Sequence, residues 1–285
     1  MSELAGKKLV ILGGTGSLGQ ALVRQIIASY SDIGELMIIS RDEVKQLRMM
    51  DEFSEEEYPF MNYLLGDVRD KQRLIELLKG KDLVIHAAAI KHVVIAEKNP
   101  SECKKTNVEG TRNVVLACLE QGVKKALLIS TDKAVNPISV YGRSKQVAEQ
   151  IFLTGNSKSE SEFGVIRLGN ILGSRGSVFE LFKEQKSQGL MKVTHQDATR
   201  FYITPEDASD FVLNSLIEID TNTIKSPKMK AFRVLDLAKS VAPDCRIEIV
   251  GLRPGDKLHE ELEGKSSEDY VETLNPLPGG VGVGQ

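Results

Sequence analysis

A doubly wound α/β fold with a parallel sheet is predicted by two observations. Short apolar runs alternate with helix-period segments from residue 8 to residue 168, and the first run passes directly into Gly13-Gly14-Thr15-Gly16-Ser17-Leu18-Gly19. A third observation bounds it: beyond Gly169 the alternation stops, and Gly173, Gly176, Pro205, Pro227, Pro243 and Pro254 fall among short elements, as expected of a smaller lobe.

Taken in order, Lys8–Leu12 reads as a buried strand, and the glycine stretch leads into a helix carrying Leu22, Ile26 and Ile27. Strand, glycine turn and helix are what a dinucleotide site requires. Gly13, Gly16 and Gly19 permit the tight turn, the approach of backbone to pyrophosphate and the packing of helix on strand, with the helix amino terminus toward the anion. Thr15, Ser17 and Leu18 complete that turn. A second strand at 36–40 ends in Ser40-Arg41-Asp42, where the adenosine ribose is expected. A carboxylate at the strand tip would favour NAD; a hydroxyl and a guanidinium, with Lys45 one turn on, favour the 2′-phosphate of NADP. Arg41 paired with Asp42 or Glu43 on the surface is the plainer alternative.

Residues 62–65 give a third strand, followed by Gly66-Asp67-Val68; Asp67 is read either as a partner of the adenine amino group or as a helix cap. Leu83–His86 is the fourth strand. Ala87-Ala88-Ala89 after it are small enough for a cofactor to lie against the backbone, and His86 reads as a packed strand-end residue. A helix over 100–121 repeats Cys103, Asn107, Gly110, Val114 and Ala117 at spacings of four and three. Asn107 therefore falls on the inward stripe and needs partners, as a structural hub or as part of an active centre.

The stretch at 129–145, ISTDKAVNPISVYGRSK, follows the apolar run 126–129. Its ionisable groups therefore lie at a strand's carboxyl end, where open parallel sheets bind ligands. Tyr141 and Lys145 are four apart, so a helix puts both on one face. An ammonium near the phenol is expected to lower its pKa and suit it to take a proton from an alcohol. Tyr-x-x-x-Lys by itself is also common on solvated helix turns. Residues 163–168 form a sixth strand. Arg167, Arg175, Arg200, Arg253 and Lys257 fall in or near the lobe as candidates to clamp a diphosphate, and 279–285 reads as a flexible tail.

The chain has 285 residues and a net charge of −3 from 37 basic and 40 acidic residues, with no excess of positive charge to suggest nucleic acid as a partner. Three widely spaced cysteines and four histidines show neither disulfide nor metal-ligand spacing, so no metal is expected. The apolar run after Lys7-Lys8 is too short for a signal peptide or a membrane span, and a soluble cytoplasmic protein is expected.

With the glycine turn, Asn107 and Tyr141-x-x-x-Lys145, the chain resembles the extended short-chain dehydrogenase/reductases that act on nucleotide sugars. Ser130-Thr131-Asp132-Lys133-Ala134, Asn136-Pro137 and Tyr141-Gly142-x-Ser144-Lys145 narrow the resemblance to UDP-N-acetylglucosamine 4,6-dehydratases of bacterial pseudaminic acid and capsule sugar synthesis. SRDE at 40–43, HAAAIKHV at 86–93, Thr199-Arg200-Phe201 and RPGDKLHEEL at 253–262 support it. Leu12 stands where the family usually has Thr, and the chain ends sooner after Leu262 than is usual.

The resemblance implies a Rossmann-like NADP-binding domain over 1–168 and a mainly substrate-binding lobe over 169–285, with segments free to return to the sheet. It implies Thr131, Asp132, Lys133, Tyr141 and Lys145 as the catalytic set. Tyr141, aided by Lys145 and near Thr131, takes the 4-hydroxyl proton as hydride leaves C4; Lys133 then removes the C5 proton, Asp132 protonates the departing 6-hydroxyl, and hydride returns to C6. For that role burial or a neighbouring cation must lower the Lys133 pKa. Cofactor contacts implied are Gly13, Thr15, Gly16, Ser17, Leu18 and Gly19 of the turn, Ser40, Arg41, Lys45, Asp67, Val68, Ala87, Ala88, Lys91, Asn107, Tyr141 and Lys145. Substrate contacts implied are Lys91, His92, Asn170, Arg200, Arg253 and Glu260. The expected partners are a UDP-sugar and further copies of the chain, as a homo-oligomer. Asp-Lys at 132–133 favours the hydro-lyase that inverts C5; relatives with Asp-Glu retain it, and 4-epimerases lack the charged pair. A C5-retaining dehydratase, a 4-epimerase or 4-reductase, and a non-catalytic NADP-binding scaffold remain as alternatives.

Overall fold

The computed structural model describes residues 2–157, 160–221 and 223–272; the tail at 279–285 lies outside them. The alternating half runs β1 (Lys8–Leu12), α1 (Ser17–Ser29), β2 (Glu35–Ser40), α2 (Glu43–Glu52), β3 (Met61–Leu65), α3 (Lys71–Leu77), β4 (Leu83–His86), α4 (Val93–Lys98), α5 (Pro100–Lys104), α6 (Gly110–Gln121), β5 (Lys125–Thr131), α7 (Val140–Leu153) and β6 (Glu162–Leu168). The second half adds β7 (Asn170–Ile171), α8 (Val178–Lys186), β8 (Leu190–Val193), β9 (Thr199–Ile203), α9 (Pro205–Ile217), β10 (Ile224–Lys225), β11 (Lys230–Arg233), α10 (Val234–Val241), β12 (Arg246–Ile249) and the hairpin of β13 (Glu261–Leu262) and β14 (Lys265–Ser266).

The main sheet is parallel, in the order β10-β6-β5-β4-β1-β2-β3. Its strands read as continuous apolar runs because both faces are covered. Along β1, Leu9 and Ile11 pack with α1 and α9, whereas Val10 and Leu12 pack with α3, α6 and α7. Each such side chain contributes roughly 1.5–3 kcal/mol on burial. The strand order reverses between β1 and β4, so the loops after these two strands diverge and leave a crevice.

Segments from both sides of residue 169 share this sheet: β10 pairs with β6, and α9 packs on α1. A separate apolar cluster, including Phe182, Met191, Tyr202, Phe232 and Leu237, lies among α8, β8, β9, β11 and α10.

The helix expected over 100–121 is three pieces. Between α5 and α6, Lys105–Glu109 is a π-helix, in which one added residue per turn loosens the hydrogen-bond ladder. The Thr111 hydroxyl donates to the Asn107 carbonyl at 2.7 Å. The inward stripe is kept nonetheless: Cys103, Asn107, Gly110, Val114 and Ala117 are all buried.

Candidate active site

The turn after β1 is shaped for an anion. Gly13 has φ +84°, and a Cβ there would stand 2.8 Å from the backbone of Ala88, so the loops after β1 and β4 meet only because this position is glycine. Helix α1 starts at Gly16 with no capping side chain and no acidic residue in its first turn, which leaves its N–H groups and positive dipole end for a ligand. Over this turn lies Arg175, whose backbone N–H donates to Ser17 Oγ (3.0 Å) and whose guanidinium donates to the Thr15 carbonyl. Lys91 Nζ donates to the Arg175 carbonyl at 2.9 Å. Glycine backbone, uncapped helix and two cations fit a dinucleotide pyrophosphate.

At the ribose end, Asp42 caps α2 by accepting from the Lys45 N–H (3.0 Å), and its carboxylate also pairs with Lys45 Nζ at 2.5 Å. Lys45 is thus engaged by Asp42. Arg41, half-exposed, lies 3.6 Å from Asp67, not beside Asp42 or Glu43. Asp67 is chiefly gripped by Arg69, through Nε at 2.9 Å and Nη2 at 2.6 Å. Burial would raise the Asp67 carboxyl, but Arg69 and Arg41 hold it below the usual carboxylate range. It caps no helix; Asp70 caps α3. Val68 is buried against Gly110.

The second centre is at the end of β5. The strand runs on through Ser130 and Thr131, and Ser139 caps α7 by accepting from the Gly142 N–H at 3.0 Å. A Cβ at Gly142 would lie 2.2 Å from the Lys133 carbonyl oxygen. Glycine therefore lets α7 bring Tyr141 against the 131–133 loop. Asp132 is fully buried, and its Oδ1 accepts from Thr131 Oγ1 (2.9 Å) and Lys133 Nζ (3.0 Å). Lys133 Nζ also donates to Asn170 Oδ1 at 3.3 Å and stands 3.4 Å from Glu260 Oε1. Arg200 Nε is 3.9 Å from the same Glu260 oxygen. Asp132 Oδ2 and Glu260 Oε2 are buried without a partner, and each leaves an anionic acceptor for a ligand hydroxyl.

One expectation about charge is overturned, and the condition set on Lys133 is not met. Lys145 does not lower the Tyr141 phenol: its ammonium donates to the Ile129 carbonyl at 2.8 Å. Burial pushes Tyr141 up to about 12, against the pull of the Lys133 ammonium and a hydrogen bond with Thr131. Nor is Lys133 lowered. Burial acts in that direction, but Asp132 and Glu260 outweigh it and hold the ammonium above the ordinary lysine value. The depressed lysine is Lys145, which burial brings down to about 8 while Glu149 opposes.

Other predicted residues divide between the centres and the frame. Asn107 is a hub: it accepts from the Ile90 N–H (2.8 Å) and donates to the Ile90 carbonyl (3.0 Å) and Ser144 Oγ (2.9 Å), fixing the β4 loop to α7. His92, an exposed residue, has its ring against Gly176. Arg200 is buried and grips the carbonyls of Thr199, Lys257 and Leu258, so it holds the 253–262 segment as well as facing Glu260. Lys257 Nζ donates to the Val135 carbonyl at 2.6 Å. Arg253 Nε pairs with Asp256 Oδ2 at 2.8 Å. Arg167 does not reach the cleft as a diphosphate clamp: its guanidinium holds the buried Glu149 at 2.6 and 2.9 Å. Among the lobe arginines Arg175 alone lies over the glycine turn, a choice that no local sequence signal marks.

Residues 9–276 match the family described as polysaccharide biosynthesis protein. A UDP-N-acetylglucosamine 4,6-dehydratase (inverting) of Campylobacter jejuni is 44% identical over 259 residues, covering 89% of this chain and 76% of that one. A UDP-glucose 4-epimerase of Rickettsia akari is 38% identical over 275 residues, covering 93% and 79%. The X-ray structure of Pen from Bacillus thuringiensis superposes with a TM-score of 0.86 at 32% identity, covering 92% and 84%. A dTDP-glucose 4,6-dehydratase from Streptomyces venezuelae, with NAD and TYD bound, shares the fold at 20% identity and a TM-score of 0.79, covering 90% and 88%.

Proposed function

The chain belongs to the polysaccharide biosynthesis protein family, and on that premise we propose that it is a nucleotide-sugar 4,6-dehydratase, a hydro-lyase. Its substrate is UDP-N-acetylglucosamine, and its product is a UDP-4-keto-6-deoxy-N-acetylhexosamine inverted at C5. The relative at 44% identity supports the substrate and the stereochemistry. The observation that carries the reaction type is the Asp132–Lys133–Glu260 cluster beside Tyr141. Exchanging configuration at C4 needs one proton acceptor at O4. Eliminating water across C5 and C6 needs a second base and an acid as well, and the cluster holds such groups.

A nicotinamide cofactor held by the glycine turn, Ala87, Ala88 and Arg175 supplies a hydride acceptor and donor. Ser40 and Arg41 support NADP over NAD, since a guanidinium at the ribose suits a 2′-phosphate. Tyr141 holds the proton of the sugar's 4-hydroxyl, with the Thr131 hydrogen bond and the Lys133 charge favouring its ionised form. Lys145 keeps its ammonium on the Ile129 carbonyl, at the foot of the same strand end. Lys133 serves the C5 proton and Asp132 the departing hydroxyl. Asn170, Arg200 and Glu260 line the sugar side, and Lys91 and His92 lie toward the diphosphate. The part of the chain from 169 to 285 is mainly the substrate lobe, with α9 and β10 returning to the main sheet, and the protein works as a homo-oligomer.

A 4-epimerase is the second reading, favoured by the 38% identical relative. A proton NMR time course with UDP-N-acetylglucosamine and NADP separates the two. A new C6 methyl signal whose H5 coupling reports the inverted configuration is expected; a 4-epimer with its 6-oxygen intact would overturn the dehydratase reading.

A further inference from the structure

We propose that Glu260 is a positioning residue for the Asp132–Lys133 pair: it keeps the pair's shared proton on Lys133 until a sugar enters, and so sets the pH at which the C5 chemistry runs. This rests on the dehydratase reading.

The geometry supplies the argument. Lys133 has three N–H groups and three oxygens in reach, on Asp132 (3.0 Å), Asn170 (3.3 Å) and Glu260 (3.4 Å). An ammonium so satisfied cannot accept a proton from carbon. It must first lose one, and the shortest of these contacts is to Asp132. In that step an N–H bond of Lys133 breaks, an O–H bond forms on Asp132, and the net charge is unchanged. The step creates a base and an acid together. Once C4 is a ketone, the Lys133 amine takes the C5 proton. The C–H electron pair becomes the C5–C6 double bond, the C6–O bond breaks, and the Asp132 proton leaves with the hydroxyl as water. Lys133 is then an ammonium and Asp132 a carboxylate, as at the start.

Glu260 governs the first transfer because its charge favours the ammonium form. It is 2% exposed, and the hairpin of β13 and β14 holds its backbone: the Glu260 N–H donates to Ser267 Oγ (2.9 Å), and the Ser267 N–H to the Glu260 carbonyl (2.8 Å). Its orphan Oε2 accepts from a sugar hydroxyl on binding, which draws charge from Lys133. The charged and titratable groups around the pair are Arg200 from β9, Tyr141 from α7 and Glu260. On the 253–262 segment, Lys257 is turned to Val135, His259 to Thr199, and Glu261 to Asn136.

The test is the pH profile of C5 deuterium incorporation and of methyl product in Glu260→Gln, with NADP affinity and thermal unfolding as controls. Removing a neighbouring carboxylate makes each proton of the pair easier to lose. Both limbs should move to lower pH, by about one to three units. Glu260→Asp should keep the limbs near their original pH. Arg200→Gln, which removes a positive charge near both Glu260 and Lys133, should move them to higher pH. Arg200→Gln limbs that stay put, with product formed, overturn the inference if Glu260→Gln does not fold. A uniform fall in rate with unmoved limbs would overturn the inference and leave the dehydratase reading intact. A wild-type protein that makes no methyl product would overturn both.

Discussion

Lys133 and Tyr141 sit in one charge field, so removing either changes what the other does. Tyr141→Phe is expected to keep cofactor and sugar binding while forming almost no reduced nicotinamide, because the 4-hydroxyl proton has no acceptor. Lys133→Ala should slow C5 exchange and also the hydride step, since the phenol loses the ammonium that opposes its burial. Losses of about 10²–10⁴ in each step are expected, read by reduced-cofactor absorbance and by deuterium at C5. Product at the wild-type rate from Lys133→Ala would remove lysine from the mechanism. Arg41 makes the other residue-scale case. Its guanidinium is half-exposed, so Arg41→Ala should weaken NADP by about 1.5 kcal/mol, the low end for a charged hydrogen bond, and leave NAD nearly unchanged in a titration.

At the scale of elements, the end of β5 is fixed from below by a buried tie. Glu149 on α7 accepts from Ser130 Oγ on β5 (2.5 Å) and from Arg167 on β6. Arg167→Met would strand a buried carboxylate, and a loss of about 3–5 kcal/mol in urea unfolding is expected. The double variant Glu149→Gln with Arg167→Met should recover most of it, since no charge is then left unpaired. The sequence pattern placed the strands of this region to within about a residue or two, because apolar runs buried on both faces need no partner to be recognised. It did not show the π-helical turn at Lys105–Glu109, nor the use of Arg167, which depends on a carboxylate that another element, α7, brings beside it.

The whole molecule carries two further expectations. A surface groove between α6 and α7 is lined by Arg112, Val115, Leu116, Val147, Gln150 and Ile151. If these helices pair across subunits, light scattering at micromolar concentration should give at least a dimer, and Val147→Glu should dissociate it. Stability should also fall in acid. His86 is buried, with Nδ1 unpartnered, and burial lowers its imidazole from 6.5 to about 3. Below pH 6.5 the unfolded chain takes up a proton that the folded chain refuses, so stability declines as pH falls through the window from 6.5 to about 3. His86→Phe should flatten that part of a urea-stability profile; an unchanged slope would assign the acid loss to other groups.

By itself the sequence determined the sheet and the glycine turn, because periodicity and short spacings are local properties of the chain; the grouping of Asp132 and Lys133 with Tyr141 and Lys145 is what the family resemblance implies. Only the tertiary structure decided how those groups are charged. Glu260 lies 127 residues beyond Lys133 in the sequence and 3.4 Å from it in space. Arg175 reaches the glycine turn 160 residues before it. A pKa depends on the charges and the burial around a group; Asp132 acts on Lys133 from the next position in the chain, but the Glu260 charge and the burial are brought to it only by the folded structure.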